Sequence, residues 1–335
     1  MSTKDTTKYN PNKGRDFLDT LAQLSTNECK GLNFNKLDQK FFSQDKDKIN
    51  LQKRARAKAF TNSYLFDLID LKSPLQKSYW NTYYCSKTIL QEGKKISSKY
   101  CNNRWCSTCN RIRTAKMING YAGSIESFKD AQFVTLTIPN VKARDLSLAI
   151  DEMNNSLRAI TKNLKKTYNI RLRALRKYEC TYNNRTNEYH PHFHLIVDGL
   201  DSSIKLVDLW LNRFKKADIK GQDISKADST SLIELCKYFT KIIAKDNDYN
   251  PKALDIMFRA VKGKRTFQPI GIKKDVSEDV DEIQSQIIEF KEPQEQIWGF
   301  ESDAYDWVSP DGELLSGYTP TDKDLKVINK IYDKE

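Results

Sequence analysis

The middle of the chain alternates between strand-like and helix-like patterns of hydrophobic residues. Gln132–Ile138 is rich in β-branched residues and ends before a proline, which predicts a buried strand. From Leu146 to Leu164, apolar residues recur every three or four positions, which predicts an amphipathic helix packed on a sheet. Leu172–Tyr182 and His192–Val197 predict two further strands, which the polar turn 183–187 joins into a hairpin.

After the hairpin, the pattern predicts helices over about 206–215 and 229–245, with a short extended piece near 219–224 between them. This order of elements favours an α+β fold in which helices cover one face of a central antiparallel sheet. Before the first strand, residues 46–71 predict a helix that carries a run of basic residues, and residues 1–45 show little periodicity.

Composition excludes several classes of protein. Hydrophobic residues make up 39% and aromatic residues 11% of the 335 residues, which is enough for a folded core. No apolar run approaches the roughly 18 residues that span a bilayer, and the first residues contain no apolar signal segment. We therefore expect neither a membrane protein nor a secreted one, and we expect a cytoplasmic location.

The charge of the chain is unevenly distributed. The formal net charge is +12, but residues 275–335 carry 17 acidic and 5 basic side chains, so the first 274 residues carry +24. A basic body with an acidic C-terminal segment favours a polyanionic partner, most often a nucleic acid. The alternative is that the charge serves only solubility.

Three of the seven cysteines, Cys101, Cys106 and Cys109, lie within nine residues of one another. In a reducing compartment such a cluster indicates thiolate metal ligands rather than disulfides. With Cys85 as the fourth ligand, these residues predict a tetrahedral structural zinc site. The alternative is a set of reduced thiols in a compact loop.

All three histidines lie in the segment HPHFHLIV, which begins at His190. On a strand, His192 and His194 point to the same face and offer two imidazoles to a divalent metal. Glu179, across the hairpin, is the candidate third ligand, and this donor set suits Mg²⁺ or Mn²⁺. The alternatives are two sheet histidines without a metal and an ordinary exposed carboxylate.

The helix predicted over 229–245 carries Glu234, Tyr238 and Lys241 in one solvent-facing row, opposite its apolar residues. Beside a metal that cancels phosphate charge, the phenol of Tyr238 can attack a phosphodiester. Lys241 would then stabilise the phenolate or the pentacovalent phosphorus, and Glu234 would activate water or a hydroxyl for a second step. The alternative is a surface tyrosine flanked by charges.

These segments resemble a known family. Phe133–Thr137 (FVTLT), His190–Val197 (HPHFHLIV) and Glu234–Lys241 (ELCKYFTK) resemble, in order, the three motifs of the HUH endonucleases. More narrowly, they resemble plasmid rolling-circle replication initiators with a single catalytic tyrosine. Cys101–Cys109 is similar to the Cys-x4-Cys-x2-Cys element before the first motif of that group, and Phe258–Gly271 is similar to the run after its tyrosine helix.

The resemblance implies an HUH-type antiparallel sheet and an enzyme that nicks one strand at a plasmid origin through a 5′-phosphotyrosine and later rejoins the ends. It implies that His192 and His194 bind the metal, that Tyr238 is the nucleophile and that Glu234 directs water at termination. Ser107 and Phe239 stand where the family often has proline, and neither change removes a ligand or a catalytic group.

The expected organisation follows from these motifs. It comprises a basic helical extension (1–74), a Cys-rich zinc and DNA-binding element (75–130), a nicking-joining catalytic domain (131–275) and an acidic C-terminal segment (276–335). Expected partners are origin DNA, single-stranded or extruded from a hairpin at the nick site, and the host helicase and replication machinery; a homodimer is left open. Basic side chains are expected to contact DNA phosphates, giving salt-dependent binding: Arg104, Arg111, Arg113, Lys116, Lys262, Lys264 and Arg265.

Two other functions are compatible with parts of this pattern. A non-catalytic, zinc-dependent DNA-binding regulator would keep the fold without cleavage, but the His-x-His and Glu-x3-Tyr motifs argue against it. A mobilisation relaxase or a single-tyrosine transposase would use the same chemistry, and the cysteine element argues against those.

Overall fold

The structure is a computed structural model and describes residues 44–92, 95–228, 231–236, 250–274, 286–287 and 295–332. Its described part is an α+β protein with two antiparallel sheets of five strands each. The strands are β1 Thr88–Glu92, β2 Lys95–Ser98, β3 Ala131–Thr137, β4 Ala174–Asn183, β5 Glu188–Asp198, β6 Asp223–Lys226, β7 Phe267–Ile270, β8 Gln286–Ile287, β9 Glu295–Glu301 and β10 Asp306–Val308. The helices are α1 Gln44–Asp70, α2 Gln76–Tyr83, α3 Ser107–Glu126, α4 Leu146–Thr167, α5 Leu200–Arg213, α6 Ser231–Cys236, α7 Pro251–Val261 and α8 Asp322–Tyr332.

The central sheet has the strand order β6-β3-β5-β4-β7, with every neighbouring pair antiparallel. This confirms the three predicted strands and the hairpin between the second and the third. In the β4–β5 ladder Glu179 lies directly opposite His192, and Lys177 lies opposite His194. Residues opposite each other in a ladder share a face of the sheet, so these four side chains start from the same surface.

One face of the central sheet packs on α4, α5 and α7. Ile150, Met153 and Leu157 of α4 are buried against Phe193 and Leu195 of β5, within the main core cluster. The spacing of these helix residues is that of one apolar stripe, as the sequence predicts. The main core therefore lies on one face of β5, and the histidine rings lie on the opposite face.

The opposite face is also covered by helices, so the expectation of helices on one face was wrong. Leu232 and Leu235 of α6 lie in a second cluster with Leu175 and Ile196 of the sheet, together with residues of α3. The reason is that β5 carries consecutive apolar residues at 195–197, which is the pattern of a strand buried on both faces. The histidines lie at the end of this face, which the second cluster does not cover.

The second sheet has the order β10-β9-β1-β2-β8 and joins part of the C-terminal segment to residues around the cysteines. Trp298, Phe300 and Trp307 form its core with residues of α1. Trp307 donates its indole N–H to the backbone carbonyl of Ser86 at 2.8 Å. Part of the acidic C-terminal segment is thus packed against the basic N-terminal helix.

Several predicted boundaries shift. The helix predicted over 46–71 is α1, and the one predicted over 206–215 begins earlier, at Leu200. The extended piece near 219–224 is a 3-10 turn, Ile219–Gly221, followed by β6. Of the helix predicted over 229–245, the structure describes α6 alone, and the remainder lies outside the described residues.

Across the described residues, none of the helices combines the length and apolar character needed to cross a membrane.

Candidate functional site

Two imidazoles and a carboxylate converge on the exposed end of the central sheet. Oε2 of Glu179 lies 3.7 Å from Nε2 of His192 and 3.5 Å from Nε2 of His194. The two rings are nearly perpendicular, with centroids 4.9 Å apart. One ligand atom from each residue lies within 4.8 Å of the other two, so a single ion can contact all three.

The outer nitrogens of both rings are held by hydrogen bonds. Nδ1 of His192 lies 3.0 Å from the backbone carbonyl of His190, and Nδ1 of His194 lies 3.1 Å from the hydroxyl of Thr135. A carbonyl accepts only, so Nδ1 of a neutral His192 carries the proton and Nε2 presents a lone pair. This is the way in which metal-binding histidines are oriented by partners beyond the ligands themselves.

Lys177 lies beside the ligands and is 3% exposed. Its ammonium contacts Oε1 of Glu179, the oxygen that faces away from the histidines. Burial would raise the pKa of Glu179, but hydrogen bonds from His192 and His194 and the charge of Lys177 outweigh it and hold the pKa well below its usual range. Glu179 is therefore a carboxylate that is ready to bind a cation.

The donor set fits a divalent metal. Imidazole and carboxylate ligands together suit Mn²⁺ and other first-row ions, and Mg²⁺ binds the carboxylate and substrate phosphates. The three sequence-predicted ligands, Glu179, His192 and His194, are thus brought together as one possible metal-binding group.

The structure describes only the first part of the predicted helix that carries the candidate catalytic residues. Tyr238 and Lys241 lie outside the described residues, and the side chain of Glu234 is not described either. The helix that precedes them in the sequence, α6, packs through Leu235 onto Ile196, whose side chain lies on the same face of β5 as His192 and His194.

All four predicted zinc ligands meet in one cluster. Sγ of Cys85 lies 3.5 Å from Sγ of Cys109 and 3.6 Å from that of Cys106, and Sγ of Cys101 lies 3.7 Å from that of Cys109. The cysteines are reduced, and the four sulfur atoms lie within 4.8 Å of one another. Hydrogen bonds from Cys106 and its neighbours lower the pKa of the Cys101 thiol, which favours the thiolate that binds metals.

A buried lysine accompanies this cluster. Lys58 on α1 is 1% exposed, and its ammonium donates to the backbone carbonyl of Tyr83 and lies 5.9 Å from the ring centroid of Phe300. Burial lowers the pKa of Lys58 to about 8, while the nearby thiols of Cys85 and Cys106 act in the opposite direction. The lysine places a cation beside the sulfur cluster.

The predicted DNA-contacting residues divide into two groups. Four of them line one cavity of about 550 Å³ between α3 and β7: Arg104, Arg113, Lys116 and Arg265. Lys264 instead binds Asp151 and the carbonyl of Ser147 on α4, and Arg111 and Lys262 are exposed elsewhere on the surface.

Some of these cations also have structural contacts. Arg104 donates to the backbone carbonyls of Val261 and Lys264, and Arg113 donates to the side chain of Asn110 and the carbonyl of Asn102. These bonds fix the guanidinium groups at the rim of the cavity rather than leaving them on long mobile stems.

The chain is similar to known proteins in the region that holds these two sites. The replication protein family (Rep_1) matches residues 93–200, a range that contains Cys101, Cys106 and Cys109, strand β3 and the whole ligand-bearing hairpin. This part of the chain is thus similar to the replication protein family. The match therefore covers the candidate metal site and most of the cysteine cluster.

Individual proteins that are similar to this chain are Rep proteins. A Rep protein of Staphylococcus aureus is 29% identical over 189 residues, which cover 50% of this chain and 80% of the relative. A Rep protein of Streptococcus pneumoniae serotype 2 is 24% identical, and the match covers 53% of this chain and 62% of the relative. A Rep protein of a Bacillus species is 31% identical, and the match covers 55% of this chain and 53% of the relative. No solved structure matches the chain.

Sequence reasoning missed two lysines of these sites, Lys177 and Lys58. Each lies in an ordinary strand or helix, and the amino-acid sequence gives no sign that its ammonium is buried. One feature of the sequence could have indicated Lys177. It lies two residues before Glu179, and this spacing places both side chains on the same face of β4.

Proposed function

We propose that this protein initiates rolling-circle replication of a plasmid by nicking one strand of the origin, and that it rejoins the strand at termination. The observation that carries the proposal is the convergence of Glu179, His192 and His194 in a domain that matches the replication proteins. The HUH-type arrangement of the fold is part of this proposal. The order of strands around the hairpin supports it, because the paired histidines lie on a central strand.

The chemistry requires the phenol of Tyr238 at the metal site. A divalent ion bound by Glu179, His192 and His194 would supply positive charge to the non-bridging oxygens of the scissile phosphate. The Tyr238 oxygen attacks phosphorus and loses its proton; the bond to the 3′ oxygen breaks, and that oxygen takes a proton as the 3′ hydroxyl. The product is a 5′-phosphotyrosine, which conserves the energy of the broken bond.

Two further side chains have proposed roles in this sequence. Lys241, three residues beyond the tyrosine and on the same face of the helix that the sequence predicts, stabilises the charge on the phenolate or on the pentacovalent phosphorus. Glu234, four residues before Tyr238, activates water or the incoming 3′ hydroxyl at termination. The packing of α6 on the histidine face of the sheet supports this placement.

The cysteine cluster is proposed to hold a structural zinc ion. Four convergent sulfurs match the tetrahedral Cys₄ sites that stabilise small elements. The ion would join the segment around Cys85, which leads into β1, to the start of α3, which carries several of the basic residues. Its effect on DNA binding would therefore be through the placement of α3.

The substrate is proposed to be unpaired at the nick. A phosphodiester in stacked duplex DNA does not reach a site on a sheet surface without distortion, so extrusion of a hairpin or strand opening must precede cleavage. Flanking duplex DNA would contact the basic surface by its phosphates, and a host helicase would extend the opening after the nick.

The experiment is cleavage of a labelled single-stranded oligonucleotide from the cognate plasmid origin by the full chain. Cleavage is expected with Mn²⁺ or Mg²⁺ and should stop with excess chelator. The matched pair of variants is His192→Ala, which should abolish cleavage, and His190→Ala, which changes the neighbouring histidine that lies outside the ligand group and should retain it. Origin binding without strand scission in either metal would instead identify a DNA-binding regulator.

A further inference from the structure

The cavity between α3 and β7 is strongly cationic. Besides the four side chains already named, it is lined by Lys274, and none of its lining residues is acidic. Five positive charges around one cavity of about 550 Å³ create a site for an anion with several charged oxygens. A cavity of this size accommodates a single nucleotide rather than a double helix.

Two aromatic rings form part of the cavity wall. Tyr121 on α3 and Phe267 on β7 have ring centroids 6.0 Å apart at an interplanar angle of 49°, and both rings are partly exposed. Met117 lines the same wall. Aromatic faces beside cations are the combination with which proteins bind single-stranded nucleic acids, because every base stacks on a ring while its phosphate meets a charge.

The cavity lies next to the metal site on the same face of the sheet. Phe267 pairs directly with Lys177, and Lys177 pairs directly with His194. Phe267 is thus two strand spacings from His194, or ~10 Å. A single strand of DNA whose scissile phosphate lies at the histidines would reach the cavity within one or two nucleotides.

Gly120 leaves room on the surface of α3 for the side chain of Lys274. A Cβ atom on Gly120 would lie 2.6 Å from Cε of Lys274, so the lysine stem crosses α3 where the helix has no side chain. The segment that carries Lys274 is fixed beside it, because Ser124 donates to the carbonyl of Lys273 at 2.7 Å. The fifth cation is thereby held against the cavity wall.

We propose that this cavity is a subsite for one nucleotide of the single strand adjacent to the scissile phosphate. Its base stacks on Tyr121 or Phe267, and its phosphates contact the cations of α3 and of residues 265–274. The inference rests on the proposed nicking function, since that function places the scissile phosphate at His192 and His194. Its ligand is a single-stranded DNA segment, and duplex DNA is an alternative that the test separates.

The test measures binding of a fluorescein-labelled thymidine 12-mer by anisotropy, without added divalent metal, so that no cleavage occurs. The double variant Tyr121→Leu/Phe267→Leu keeps apolar bulk and removes both rings, and it should weaken binding about fivefold or more. Lys116→Gln/Lys274→Gln should reduce the slope of log affinity against log salt by about 1.4. The matched control, Lys165→Gln/Lys166→Gln, removes two exposed lysines of α4, on the other side of the sheet, and should leave the slope unchanged.

A second measurement uses the unmodified protein. An oligonucleotide that carries 5-iododeoxyuridine should photo-crosslink to Tyr121 or Phe267, as identified by mass spectrometry of the tryptic peptides. Crosslinks confined to other residues, or an equal loss of affinity for single-stranded and duplex DNA in the aromatic variant, would overturn the subsite.

The two proposals fail in distinguishable ways. His192→Ala/His194→Ala should lose cleavage of the origin oligonucleotide, whereas the aromatic substitutions should still weaken binding of the thymidine 12-mer when they are made in that variant. Absence of cleavage in the unmodified chain, together with an intact effect of the aromatic variant, would contradict nicking and leave a single-strand site. Normal cleavage with no effect of the aromatic variant would contradict the subsite alone.

Discussion

Lys177 bonds to one oxygen of Glu179 while the other oxygen of that carboxylate faces His192 and His194. The ammonium and a bound metal ion therefore draw on the same negative charge. Without a metal, the lysine is the principal cation beside the carboxylate among the described residues. This arrangement keeps the ligand oriented and charged before the ion arrives.

The first prediction concerns Lys177→Met. Without the ammonium, Glu179 has lost a buried partner, so the metal-free protein should melt several degrees lower. The same carboxylate is then more available to a cation, so saturating Mn²⁺ should raise the melting temperature by more than in the unmodified chain. Equal Mn²⁺-induced shifts in both proteins, measured by differential scanning fluorimetry, would show that the lysine does not compete for the carboxylate.

The second prediction is a pH dependence of stability. The pKa of Glu179 is lowered in the folded state, so the carboxylate stabilises the fold above its unfolded pKa of about 4.3 and loses this contribution as the pH falls below it. The stability difference between the unmodified chain and Glu179→Gln, measured in chelator, should be constant from pH 7 to about 5 and should shrink towards pH 3. A difference that grows on acidification would contradict the assignment.

The third prediction tests the zinc site with Cys106→Ser. Cys106 is also the N-cap of α3, where its side chain accepts a hydrogen bond from the backbone N–H of Cys109. Serine preserves this cap and removes a thiolate, so the variant isolates the loss of a metal ligand from the loss of a helix cap.

Elemental analysis should find one zinc per unmodified chain and a large loss of zinc in Cys106→Ser. Cys180→Ala is the matched control, since Cys180 is a buried cysteine on β4 outside the cluster. Full zinc content in Cys106→Ser would show that the cluster binds no metal through this residue.

The fourth prediction concerns Lys58. A zinc ion with four thiolates carries a net charge of −2, and the buried ammonium of Lys58 offsets part of it. Lys58→Met should release zinc faster to a chromogenic chelator. Lys87→Met is the matched control and should not release zinc faster, because Lys87 is an exposed lysine whose ammonium lies near the ring of Tyr83, as that of Lys58 does. Identical release from all three proteins would remove Lys58 from the zinc site.

The sequence predicted that Glu179, His192 and His194 share one face of the sheet, because this follows from local regularity. Alternation along β5 places His192 and His194 on one face, and a hairpin with a short turn sets Glu179 opposite His192. The same kind of regularity predicted the helix α4, which begins at Leu146 with the apolar stripe and extends beyond it to Thr167. Both results depend on periodicity within single elements, which is written directly in the order of residues.

What the sequence did not reveal depends on contacts between distant segments. The pairing of β1 with β9 and the packing of Trp307 beneath Ser86 join positions more than 200 residues apart. The exposed or buried state of a lysine is set in the same way, which is why Lys58 resembled an ordinary surface residue. Cations predicted to contact DNA included Lys264, whose ammonium is bound to α4.

In the proposed mechanism, Tyr238 becomes covalently joined to the 5′ phosphate at a metal site held by two histidines. Mass spectrometry of tryptic peptides, after incubation with a cleavable origin oligonucleotide and Mn²⁺, tests this step. A nucleotide adduct is expected on the peptide that contains Tyr238, and it should be absent in Tyr238→Phe and in His192→Ala. An adduct that persists in Tyr238→Phe, or one that maps to another residue, would contradict it.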